Sequence, residues 1–142
     1  MIGRSQGGFT TCLVVRVDAD GTVTAANAGH LPPYMNGREM AVVNGLPLGL
    51  SASTDYGETV FRLPLGGRLT LISDGVVEAR MKTGELFGFE HAAAIALQPA
   101  ADIARAAEQF GQEEDITVLS VLRLAAEPAA VMQFPGLSPA PV

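Results

Sequence analysis

Residues Leu69 to Arg80 read Leu-Thr-Leu-Ile-Ser-Asp-Gly-Val-Val-Glu-Ala-Arg, an apolar strand that carries one carboxylate, Asp74, to a glycine turn at its end. A second acidic strand mouth lies near the C-terminus. There Glu113, Glu114 and Asp115 run into the β-prone stretch Ile116-Thr117-Val118-Leu119-Ser120-Val121-Leu122. Two such strands can bring carboxylates together, and hard divalent cations such as Mg²⁺ or Mn²⁺ take carboxylate and water oxygens rather than His or Cys. Gly75 is expected to let the backbone approach an ion where a Cβ would block it. The competing reading is bland: Asp-Gly turns at strand ends are common, and acidic runs before strands are usually solvated.

The elements that must position these acids are mostly strands. Phe9 to Val17 is rich in Thr, Val and Leu and apolar on both faces, so it is expected to lie centrally between two covering layers. Asp18-Ala19-Asp20-Gly21 turns it into Thr22 to Ala28. Asn27-Ala28-Gly29-His30-Leu31-Pro32-Pro33-Tyr34 then breaks the pattern with a glycine and two prolines, leaving a stiff loop of the kind that borders sites. A short hairpin turned at Asn36-Gly37 follows, and another strand is expected from Glu58 to Leu63. Helical signals fall between the two acidic strands: Gly88 to Leu97 is alanine-rich, and Pro99 opens a second helix with Ile103, Ala107 and Phe110 on its buried face and Gly111 as its stop. Beyond Leu124 the proline-punctuated residues 125–142 read as a mobile, disordered tail after a domain over 1–124.

Composition bounds the function. The chain has 142 residues and is 48% hydrophobic, enough for one domain with a real core. A formal charge of -6 and a pI near 4.7 leave no cationic footprint, so nucleic-acid binding is not expected. The single Cys12 sits in an apolar run and reads as a buried thiol in a reducing compartment. No apolar stretch is long enough to span a bilayer and none resembles a signal peptide, so no membrane partner and a cytoplasmic location are expected.

Six blocks in order give a resemblance: Gly8-Phe9-Thr10-Thr11; Asn-Ala-Gly-His at 27–30 with Pro32-Pro33; Leu-Pro-Leu-Gly-Leu at 46–50; Ser-Asp-Gly-Val-Val-Glu-Ala-Arg at 73–80; Gly-Glu-Leu-Phe-Gly at 84–88; and Glu-Asp-Ile-Thr-Val-Leu at 114–119. Together they resemble the SpoIIE/RsbU-like branch of the PPM-type metal-dependent Ser/Thr protein phosphatases, over Gly8 to Leu124. The resemblance implies an α+β fold, a sandwich of mostly antiparallel sheets flanked by helices, with a dinuclear Mn²⁺ or Mg²⁺ site between the sheets. It implies hydrolysis of phosphoserine or phosphothreonine by a metal-activated water in bacterial signalling, with no protein nucleophile. Phosphorylated anti-sigma-factor antagonists are the substrates, and hence the partners, that it implies.

Carried over by position, Asp74 in its Asp74-Gly75 block matches a metal ligand, and Glu114-Asp115 matches the family's final acidic pair. The ligand there is normally the first member, so either Glu114 reaches the ion or Asp115 substitutes. The family's opening Gly-Asp block has no match here, since no Gly-Asp dipeptide occurs in the chain. Without that bridging carboxylate, one weakly held ion or none is expected, because paired divalent cations repel strongly. The same gap makes the phosphatase fold N-terminally incomplete, and helices that cover one sheet face would be lacking, leaving a surface that homo-oligomerisation could hide.

Asn27 and His30 are candidates for a substrate loop, although a loop-fixing hydrogen bond is the simpler role for His30. His91 reads as an ordinary helix residue, and Glu78 and Arg80 as anchors of the turn after Gly75. The rival to a phosphatase is a truncated, catalytically inactive phosphatase-like module that binds partners or oligomerises.

Overall fold

The computed structural model describes residues 7–125. In chain order its elements are β1 (Cys12–Val17), β2 (Thr22–Ala28), β3 (Tyr34–Met35), β4 (Arg38–Glu39), β5 (Asn44–Gly45), β6 (Glu58–Arg62), β7 (Arg68–Ile72), α1 (Asp74–Val77), α2 (Gly88–Ile95), α3 (Ala100–Gly111) and β8 (Val118–Leu122). The tail expected from 125 onward lies, but for Ala125, outside the described residues.

Local chemistry explains the hairpins. Asp20 Oδ1 accepts the Thr22 N–H at 2.9 Å and Gly21 takes φ 90°, so the chain reverses tightly between β1 and β2. Asn36 (φ 51°) and Gly37 (φ 79°) both adopt the left-handed conformation that a two-residue turn between β3 and β4 requires.

The strands form two sheets. In the first, β2 pairs antiparallel with β1 on one side and, on the other, antiparallel with β6 and parallel with β5. In the second the order is β4-β3-β7-β8, all antiparallel. Val23 and Leu63 from the first sheet region pack with Leu69 of β7, joined by Val15, Phe61, Leu71 and Val121, so these faces close on each other as a sandwich.

Period-two alternation sends the other face of β7 and β8 to the helices. Ile72 is buried with Val76, Val77, Phe87, Ala92, Ala96, Ile103 and Ala107. Burying a side chain such as Ile103 contributes about 1.5–3 kcal/mol. Thr70, fully buried between sheet and helix, donates its hydroxyl to the Ala96 carbonyl at 3.2 Å and lies 3.3 Å from Ser120 Oγ. Helix α3 starts at its N-cap Pro99 and buries Ile103 and Ala107, with Phe110 against the same core, as its periodicity predicts. The α+β architecture of mostly antiparallel sheets with flanking helices is therefore as expected.

Two expectations fail. β1 is an edge strand among the described residues, pairing only with β2, not a central one. Its outward Val14 is 61% exposed, as is Val60 of β6 at 63%. Apolar residues on both faces record that both faces favour burial; they say nothing about how many strands lie alongside. Cys12 is only half-buried, on the outer sheet face, where it lines a shallow apolar groove with Val14, Ala26, Leu48 and Tyr56. That face carries no helix among the described residues.

Candidate functional site

β7 ends at Ile72, and the next residues build the site. Asp74-Gly75-Val76-Val77 form one helical turn, α1, rather than a bare glycine turn, with Ser73 as its N-cap residue. Val76 and Val77 are drawn into the helical core, which leaves Asp74 exposed at the sheet end.

Ser73 ties this turn to the second acidic segment. Its N–H donates to the Thr117 carbonyl at 2.9 Å, its Oγ accepts the Thr117 N–H at 2.8 Å, and the same hydroxyl donates to the Asp115 carbonyl at 3.3 Å. Gly75 completes the junction. A Cβ there would overlap the Asp115 carbonyl oxygen and lie 3.4 Å from that of Glu114. The backbone of Asp115 by itself thus leaves no room for a side chain at this position. The sequence pattern does not single out Ser73 as an organiser; its place directly before Asp74 is the one signal for it.

On the far wall is the loop after β2. Asn27, 2% exposed, clamps His30: its Oδ1 accepts the His30 N–H and its Nδ2 donates to the His30 carbonyl, both at 2.8 Å. Gly29 takes φ 73° beneath Pro47, and its N–H donates to Asn44 Oδ1 at 3.2 Å. The Leu46-Pro47-Leu48 segment therefore buttresses this loop.

The two walls enclose an open cavity of about 520 Å³ lined by Thr11, His30, Ser73, Asp74, Gly75, Glu114 and Asp115. Asp74, Gly75, Glu114, Asp115 and His30, all singled out from sequence, are brought together. Asn27 does not line the cavity; it lies behind His30. Among the described residues, no three His, Cys, Asp or Glu side chains are grouped closely enough to hold a metal ion by themselves. Arg80 pairs with Glu113 at 3.7 Å, both about half-exposed, and its N–H donates to the Gly111 carbonyl at 2.7 Å, so its contacts run to the end of α3 rather than to the turn after Gly75. Glu78 is exposed at the end of α1. His91 stacks on Phe87 with ring centroids 3.9 Å apart, away from the cavity.

The family model for stage II sporulation protein E, SpoIIE, matches residues 2–123. The chain belongs to the SpoIIE family. Solved structures agree with this SpoIIE-family assignment at the level of fold. The RsbU and RsbW domains of a Mycobacterium tuberculosis protein superpose with a TM-score of 0.66 at 24% identity, over 88% of this chain and 39% of that one. The Mn-presoaked phosphatase domain of the cell-fate determinant SpoIIE from Bacillus subtilis gives 0.60 at 23% identity, over 90% and 63%. The SiaA PP2C domain of Pseudomonas aeruginosa gives 0.56 at 24%, over 75% and 48%. The SpoIIE-family chain thus spans 39–63% of the length of these structures. No curated protein sequence matches it. No helix among the described residues is long and apolar enough to cross a membrane.

Proposed function

We propose that this SpoIIE-family chain is a phosphoserine/phosphothreonine protein phosphatase domain, acting in the bacterial cytoplasm on a phosphoprotein of the anti-sigma-factor-antagonist type. The observation that carries the reading is the convergence of Asp74 with Glu114 and Asp115 in one open cavity at the end of the sandwich.

The donors fit a hard cation in kind. Mg²⁺ commonly keeps several waters and is held by one or two carboxylates plus substrate phosphate, and Asp74 with Asp115 can supply those carboxylates. The donor set does not amount to a protein cage for two ions. A cation held there would supply charge neutralisation at the phosphoryl oxygens and an acidified water. The protein's own part is to fix the carboxylates. Ser73 and Gly75 hold the Asp115 backbone against α1, so Asp115 is the better anchored of the final pair and is the ligand in this reading. The cavity is open enough to admit a phosphorylated side chain on a protein surface.

A second reading, partner binding without turnover, is favoured by one observation: the lack of a three-donor cluster among the described residues. Calorimetric titration with Mn²⁺, followed by turnover of an aryl phosphate in the same buffer, separates the two. Binding with turnover supports the phosphatase; absence of both leaves the binding module.

A further inference from the structure

The walls of the cavity differ in chemistry. The segments at the ends of β7 and β8 supply the acids Asp74, Glu114 and Asp115, while those flanking β1 and β2 supply Thr11 and His30. His30 Nδ1 lies 2.9 Å from the Leu31 carbonyl, which can only accept, so Nδ1 carries a proton. The remaining ring nitrogen, Nε2, makes no hydrogen bond among the described residues. A histidine with one nitrogen anchored to a backbone carbonyl has its ring direction fixed and its second nitrogen available for a ligand.

Asn27 is buried and spends both ends of its amide on His30, yet both bonds go to backbone atoms that any residue would offer. Gly29, wedged under Pro47 and with its N–H donated to Asn44 Oδ1, adds a further hold on the same loop. The imidazole itself contributes to this framework only the bond to its neighbour Leu31. That bond accounts for one ring nitrogen, and the place of His30 on the cavity lining leaves the other for a ligand.

We propose that His30 is a phosphoryl-binding residue, its Nε2 donating to a phosphoryl oxygen of a phosphomonoester, and that Asn27 is its positioning residue. The inference rests on the phosphatase reading and adds a group to it. A phosphoryl group approaching the acidic wall meets repulsion from Asp74, Glu114 and Asp115 unless a cation intervenes, and its outward oxygens face the other wall. There an imidazolium gives a charge-assisted hydrogen bond, about twice as strong as a neutral one. No bond to phosphorus is made or broken in this step; Nε2 takes up one proton, from water or from the phosphomonoester monoanion, and with the Nδ1 proton already in place the ring is then an imidazolium.

The test is long-range proton–nitrogen correlation NMR on the full chain labelled at its histidine ring nitrogens, titrated with inorganic phosphate in the presence of Mg²⁺. The Nε2 resonance of His30 is expected to move from the neutral toward the imidazolium value as phosphate binds, with His91 unmoved as the internal control. His30→Gln is expected to weaken phosphate binding about tenfold or more. Asn27→Asp, which keeps the acceptor for the His30 N–H and loses the donor, should weaken it similarly, and restoring Asn should restore it. Thermal melts report whether each variant is folded. Phosphate binding by the wild-type chain with an unmoved Nε2, or undiminished in His30→Gln, overturns the role of His30 and leaves the phosphatase reading standing. No phosphate binding by the wild-type chain with Mg²⁺ overturns both.

Discussion

Gly75 and Asp115 are in backbone contact: the space a Gly75 side chain would need is filled by the Asp115 carbonyl. This contact locks the turn bearing Asp74 to the segment bearing Glu114 and Asp115. Gly75→Ala must push the two apart, so a loss of about 1–3 kcal/mol is expected, as for other overpacked sites. Urea unfolding of the pair of proteins measures it. A change below a few tenths of a kcal/mol would show that the junction yields freely.

Asp74 is exposed and shares the lining of the cavity with Glu114 and Asp115. Asp74→Asn should abolish Mn²⁺ binding while leaving stability within about 0.5 kcal/mol of wild type, the range for surface substitutions. Calorimetry and thermal melts on the same sample give both numbers. Retained Mn²⁺ affinity would remove Asp74 from the ligand set.

Because the Asp115 backbone is held by Ser73 and Gly75, Asp115→Asn is expected to weaken Mn²⁺ binding about tenfold more than Glu114→Gln. The reverse order would make Glu114 the ligand. Side-by-side titrations decide between them.

Two groups give the stability a pH dependence of known sign. Burial, then the nearby Glu39 carboxylate, pushes the Tyr34 hydroxyl above its ordinary pKa of 10.0. The folded state therefore holds the phenol proton longer than the unfolded chain. Its contribution is fully present below the unfolded value and is lost as pH rises through the folded one. At the other end, the backbone N–H of Thr22 bonds Asp20 and holds its carboxyl below the ordinary 3.8, so that contribution is present above this value and is lost as pH falls through the folded one. Unfolding curves against pH should show a weaker alkaline loss in Tyr34→Phe and a weaker acid loss in Asp20→Asn. An unchanged alkaline limb in Tyr34→Phe would deny the first assignment.

On the outer face of the first sheet, Val14 and Val60 are 61% and 63% exposed. An exposed apolar sheet face favours association, and the double variant Val14→Lys, Val60→Lys should sediment as a monomer at concentrations where the wild-type chain self-associates. Equal sedimentation of both proteins would dismiss this face as an association surface.

Much of the architecture is legible locally. The Asn36-Gly37 turn, the alternation of β7 and the spacing of Ile103, Ala107 and Phe110 each depend on neighbours within a few residues, and each appears in the structure where its pattern places it. The acidic blocks were legible too, because Asp74 and Asp115 are each delivered by a strand end that its own residues specify. What the sequence alone determined is therefore the kind of element and the chemistry at its tip. The tertiary structure decided the rest: that β1 lies at an edge with Val14 outward, that Gly75 answers to the Asp115 carbonyl, and that Ser73 joins the two acidic segments. The physical reason is common to all three. Periodicity records which faces favour burial, whereas strand neighbours and backbone contacts between segments far apart in the chain are set by packing in space, which no local pattern encodes.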